Sequence, residues 1–241
     1  MSAQVLEYNS ANLNALPVFF EALKAFKTNG GSDAVYGTLK DIIAKSGAAS
    51  RFGITLIGRP IYTDATDTTG KDGKPVELDA DSRYISVGGV RLPLPVSNLD
   101  AETQAKLVPA TWGFTKDGAI FPVHYSLSAD AGQGGLSAAD VKLFSEIHAA
   151  VAGTAFGHAV GVEVLAHQQG GLKIPQQKGV VVSAPAELIP AFAGNVEEIA
   201  WSFGAGEGEV EATSFVSLGG GAQSYGDNFY GPVTINQNAC Y

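Results

Sequence analysis

The sequence is short of cysteine, of charge and of long apolar runs, and each shortage narrows what the chain can be. Its one cysteine, Cys240, cannot close an internal disulfide, and it is not in the fourth position from the end, where prenylation requires it. Only 16% of the residues are charged against 45% hydrophobic, a balance that excludes a disordered chain. Basic residues are scarcer than acidic ones, 15 against 24, and the net charge is −9. No Lys/Arg cluster supplies the basic stripe that phosphate binding needs, so nucleic acid is not an expected partner. No apolar run reaches the length of a membrane span, and MSAQVLEYNSANLNALPVFF lacks the basic and compact apolar regions of a secretory signal. A cytoplasmic protein with no membrane partner is the expectation.

Familiar motifs are missing as well. There is no G-x-S-x-G elbow, no H-E-x-x-H, no P-loop and no cysteine pair for zinc, so no cofactor and no metal are expected from motif. Asp64, Asp67 and Asp72, in YTDATDTTGKDGK, lack the spacing and the closing glutamate of an EF-hand and read as a solvated loop. ADAGQGGLSAAD joins a strand to a helix but has no lysine and matches no phosphate-binding pattern, so Ser137 reads as a helix cap.

What is there is glycine and proline, 30 and 11 in 241 residues, which imply many tight turns. The first fifty residues read as helical. Leu13, Leu16, Phe20, Leu23 and Phe26 recur at three and four residues, and Pro17 is tolerable only near a helix start. A second helix fits SDAVYGTLKDIIAKSG, capped by Ser32 or Asp33 and stopped at Gly47. FGITLI then reads as a buried strand, SRYISVGGVRLPL as a hairpin turning at Gly88-Gly89, and TWGFTKDGAIFPVHYSL as a hairpin turning at Lys116-Asp117-Gly118. A short helix is predicted from Asp100 to Leu107, and a longer one in LSAADVKLFSEIHAAVAG, capped by Ser137 with Asp140 three residues on. HAVGVEVLAH, GVVVSAP, VEEIAWSFG and EVEATSFVSL read as strands. The expected fold is α+β, a mainly antiparallel sheet packed by an N-terminal helix pair and the mid-chain helix. Residues 1–241 form a single domain, with a subdomain seam near 129–136.

The polar residues of the strands are the candidate site. In FGHAVGVEVLAHQQGG, a strand from Val160 to His167 would put Glu163 and His167 on one face, roughly 13 Å apart. That is too far for one metal with bonds of roughly 2 Å, so the pair can give at most one group each to a shared site. His158 falls on the other face. His124, in FPVHYSL, can serve as a general base if a carboxylate orients it, and no carboxylate lies close in sequence. His148 lies on the helix stripe with Phe144 and Val151 and reads as half-buried. The plainer reading of each is a polar strand or helix face.

SRFGITLIGRPI resembles a stretch in uncharacterised fungal proteins, where an Arg-Phe-Gly-Ile-like strand runs into His-Arg-His-Phe and a Trp segment like TWGF follows. The resemblance spans about residues 35–115. Arg59 matches, whereas Gly58 and Pro60 replace both histidines of the pattern. The resemblance implies a fungal-type origin and nothing about mechanism, since those proteins carry no established activity.

Two functional classes follow. One is a small-molecule-binding protein or acid–base enzyme of isomerase, cyclase or lyase type with an apolar pocket. His124, Glu163 and His167 would be its catalytic groups, and Trp112, Tyr125 and Trp201 its ligand-binding walls. The other is a structural or self-assembling protein, a homo-oligomer in which the Gly/Asn/Tyr-rich tail, residues 219–241, packs against other copies.

Overall fold

Pro17 splits the first predicted helix in two. Helix α1, Ser10–Asn14, is capped by Asn9, whose side chain accepts from the Ala11 N–H, and α2 spans Phe19–Thr28. The second predicted helix is α3, Gly31–Ala34, and α4, Lys40–Ser46, joined by one π-helical turn, Val35–Leu39. It is capped by Gly30, at φ 79°, and not by Ser32 or Asp33. Its stop is Gly47, at φ 69°, the left-handed conformation expected there. The computed structural model describes residues 3–62, 74–129, 135–168, 170–175, 179–187, 189, 196–204 and 209–217. Asp64, Asp67 and Asp72, most of the expected seam, Cys240 and the tail lie outside them.

Among the described residues twelve strands follow. They are β1 Phe52–Leu56, β2 Ile61–Tyr62, β3 Lys74–Pro75, β4 Ser82–Val87, β5 Val90–Pro95 and β6 Leu107–Phe114. Then come β7 Ile120–Leu127, β8 Val160–Val164, β9 Gly171–Pro175, β10 Val181–Ala184, β11 Val196–Phe203 and β12 Val210–Ser217. Helix α5, Ala101–Ala105, precedes β6, and α6, Ala138–Val151, precedes β8. Strands β2 and β3 pair with each other, and the other ten close into a barrel in the order β1-β11-β12-β9-β10-β5-β4-β7-β6-β8. Its pairs are antiparallel except β4–β7 and β9–β12.

This closure overturns the expected architecture. The fold is a closed mixed barrel, mostly sheet, and not an antiparallel sheet packed by a helix pair. The hairpins at Gly88-Gly89 and Gly118 form as the turn chemistry dictates, with all three glycines at positive φ. What local pattern cannot carry is the long-range ladder from Phe52↔Val164 to Leu56↔Val160, which joins β1 to β8 and removes the sheet's edges.

Closure gives the sheet an outer and an inner face. Phe52, Ile54 and Leu56 of β1, Val160 and Val162 of β8, and Trp112, Phe114 and Trp201 join the helices on the outside. Phe26 of α2 stacks on Trp201, with centroids 5.3 Å apart, and Phe144 of α6 meets Phe52 and Phe114 edge-on. Each such buried side chain contributes roughly 1.5–3 kcal/mol. Ser137 and Asp140 form the capping box that starts α6, and Asp140 also takes Arg51 at 2.6 Å, tying the helix to the start of β1.

One stretch of the inner face is apolar. Ile57, Phe121, Val123 and Tyr84 pack there with Leu13 and Leu16 from the N-terminal segment, which Arg59 Nε holds by donating to the Leu16 carbonyl. Gly113 and Gly161 make the space for Ile57. A Cβ at Gly161 would lie 2.7 Å from Ile57 Cγ2, and one at Gly113 2.8 Å from Ile57 Cδ1 and 2.9 Å from Val123 Cγ2. Among the described residues no helix is long and apolar enough to cross a membrane.

Gly113→Ala should therefore destabilise the barrel by about 1–3 kcal/mol through overpacking. In a denaturant double-mutant cycle with Val123→Ala, the pair should lose less than the sum of the single variants, because the smaller side chain vacates the space the new methyl needs. Simple additivity would show that Gly113 is not there for room.

Candidate functional site

Strand alternation and ladder register decide which polar residues face inward. Glu163 pairs with Gly53 on one side and Thr111 on the other, and Thr111 pairs with His124. His124 pairs with Tyr84, whose strand carries Ser86 two residues on, and Ser86 pairs with Arg91. Arg91 pairs with Val181, and Ser183, two residues beyond, pairs with Lys173. Paired residues share a face, so Glu163, Thr111, His124, Tyr84, Arg91, Ser183 and Lys173 all point to the same side of the sheet.

That side is the lumen. Glu163 is electrostatically coupled to both Arg91 and Lys173. Strand β8 is four strands from β5 in one direction round the barrel and four from β9 in the other. They can meet only across the interior. These groups are also removed from water: Glu163 and His124 are 8% exposed and Lys173 7%. Arg91 keeps more exposure, as does the rest of β5.

Burial sets their protonation. It raises the Glu163 carboxyl to about 8 against the partial opposition of Arg91 and Lys173. Burial, and then the neighbouring Arg91 charge, lower the Lys173 ammonium to about 7 against the opposition of Glu163. His124 is pushed well below its ordinary value by burial and then by the two cations, so the imidazole is neutral. Near neutral pH the lumen thus holds a largely protonated carboxyl, an amine poised between its charged and neutral forms, a neutral imidazole and the Arg91 guanidinium.

Gln168 Nε2 donates to Glu163 Oε1 at 2.8 Å and also reaches Thr213 Oγ1. Lys173 Nζ lies 2.7 Å from Ser183 Oγ, and Arg91 Nε reaches Ser86 Oγ at 3.4 Å. Tyr84 Oη and His124 Nδ1 are buried and have no hydrogen-bond partner among the described residues, although their rings meet edge-on at 5.9 Å. Buried polar atoms left in this way on two neighbouring side chains are unusual in a folded protein.

Two of the sequence-derived candidates therefore come together and four do not. His124 and Glu163 lie on either side of Thr111, roughly 10 Å apart across two ladders. His167 is elsewhere: β8 ends at Val164, and Leu165–His167 forms a 3-10 turn, so Glu163 and His167 share no strand face. Trp112 and Trp201 belong to the outer core and are no pocket walls. Tyr125 has the opposite parity to His124 and meets Tyr8 edge-on at 5.9 Å. His148 is half-buried beside Phe114, as its helix stripe indicated, and His158 is exposed. Among the described residues no three of His, Cys, Asp and Glu gather as metal ligands.

Arg91, Lys173 and Tyr84 are the residues that reading the sequence missed. Arg91 alternates with Leu92 and Leu94 in a predicted hairpin strand, where it looks like a solvent-facing charge. Lys173 sits in GLKIP, too short a run to stand out as a strand. The one local signal was a single cation between apolar neighbours. No protein-family model, no curated protein and no solved structure matches the chain.

The titrations have opposite signs. Glu163 has a folded value of about 8, above the ordinary 4.5, so its contribution to stability is full below about pH 4.5 and is lost as pH rises through 8. Lys173 has a folded value of about 7, below the ordinary 10.5, so its contribution is full above about pH 10.5 and is lost as pH falls through 7. In Glu163→Gln the acid-side decline between about pH 4.5 and 8 should flatten, gaining on the order of a few kcal/mol relative to wild type at the upper end. Denaturant midpoints across that range measure it, and parallel wild-type and variant curves would contradict the buried, protonated carboxyl.

Proposed function

We propose that the lumen binds a small organic anion carrying a carboxylate, and that the protein is a small-molecule-binding barrel able to act on that anion by acid–base chemistry. The observation that carries this reading is the convergence of Arg91, Glu163, Lys173 and His124 from four different strands on one enclosed space. The chain as a whole carries a net charge of −9, yet the fixed Arg91 cation and the partly protonated Lys173 face inward against one carboxyl that burial keeps protonated. A guanidinium in such a place calls for an anion, and its planar fork suits a carboxylate.

The remaining groups suit proton transfer. Glu163 holds a proton near neutral pH and can donate it, whereas neutral His124 can accept one. Tyr84 Oη and His124 Nδ1 supply a donor and an acceptor that a ligand oxygen or hydroxyl would satisfy. Isomerisation, cyclisation or elimination on a small acid fits this set, since each needs a base and an acid on the two sides of one substrate.

Arg91→Gln should abolish the thermal stabilisation that a panel of small mono- and dicarboxylates gives the wild-type protein. Arg83→Gln, on the outside over the Tyr8 ring, should leave it intact. A shift of several degrees in wild type and Arg83→Gln, absent from Arg91→Gln, supports the site. An equal shift in all three proteins, or no shift with any carboxylate, would overturn it.

A further inference from the structure

We infer that Lys173 is a nucleophile, and that its amine forms a covalent iminium with the carbonyl carbon of a small oxo acid held in the lumen. This rests on the anion-binding reading above and names the substrate class within it.

The placement is what singles Lys173 out. It faces the lumen opposite Glu163, and through β10 it lies two strands from Arg91. One group could hold a carboxylate while the next attacks the carbonyl beside it. Ser183 Oγ, 2.7 Å from Nζ, orients the amine. A lysine that is desolvated and placed next to another cation loses its proton readily and becomes nucleophilic near neutral pH, as Lys173 does. The wall is least covered at the same place. Strands β5 and β10 share only the pairs Val181↔Arg91 and Val182↔Val90, the residues of β5 are all partly exposed, and no helix of the outer core packs over them among the described residues.

The step balances within the cluster. The Nζ lone pair adds to the carbonyl carbon, a C–N bond forms, and the carbonyl electron pair moves to oxygen. That oxygen leaves as water, taking one hydrogen from the amine and one from the Glu163 carboxyl. The products are a protonated iminium on Lys173, the Glu163 carboxylate and water, with no oxidant or reductant required. The carboxylate left behind then faces the iminium charge, and His124 is the base available for a proton next to the iminium carbon.

The test is reductive trapping. The full chain is incubated with pyruvate, and separately with acetoacetate, in the presence of cyanoborohydride. Intact mass and peptide mapping follow. The expected result is one adduct, the mass of the oxo acid less one water plus two hydrogens, mapped to Lys173. It should be lost in Lys173→Arg and form several-fold more slowly in Glu163→Gln. Mapping the wild-type adduct keeps the test decisive even if a variant fails to fold. Label spread over surface lysines, or persisting in Lys173→Arg, would overturn the inference. Propionate, which has no carbonyl, separates the two readings by thermal shift. Stabilisation by propionate without any Lys173 adduct would refute the nucleophile and leave the anion site standing. Neither stabilisation nor adduct would refute both.

Discussion

The five-residue ladder between Phe52–Leu56 and Val160–Val164 is the constraint on which the molecule depends. Without it the other strands would be an open sheet with two edges, and the inner face would be wet. With it each barrel strand has two neighbours, and the inner face is largely withdrawn from solvent, least so at β5. A polar side chain on that face must then find a partner, change its protonation or be kept for a ligand. Glu163 sits within this ladder, opposite Gly53, and is held by Gln168 while it faces Arg91 and Lys173 across the interior. The element that closes the barrel therefore also delivers its most perturbed carboxyl.

The two cores divide the work. Aromatic residues of α2, α6, β1, β6 and β11 pack outside the sheet, among them Phe26, Trp201, Phe52, Phe114 and Phe144. Inside, a smaller apolar cluster fills the space around Ile57, and the ionisable groups line the lumen beside it. Most of the apolar burial thus lies outside the lumen. The barrel wall can carry ionisable groups because its hydrophobic support comes from behind.

Much of the local structure was legible in the sequence. The capping box at Ser137 and Asp140, the left-handed stop at Gly47 and the hairpin turns at Gly88-Gly89 and Gly118 each follow from chemistry that a few adjacent residues contain. His124 and Glu163 were legible as polar residues on apolar strands. Their companions were not, because Arg91 and Lys173 meet Glu163 only after ten strands have closed, and nothing within a few residues of either position encodes that closure. The tryptophans misled for a related reason. In an open sheet the large aromatics are natural walls for a pocket, whereas in a closed barrel with helices outside they belong to the outer core. His167 fell out of the site because β8 ends three residues before it.

Strand β1 has a further consequence for how the chain is made. Both of its neighbours, β8 and β11, lie far along the sequence, and none of the strands synthesised in between pairs with it. During synthesis Phe52, Ile54 and Leu56 emerge with both strand edges bare, and must wait for residues 160–164 and 196–203 before they have backbone partners. The helices α2 and α4, which come earlier in the chain and pack on this strand or the core beside it, are available to shield that apolar face meanwhile. These helices thus precede the strand in the chain, and the lumen can close only once residues 196–217 are present.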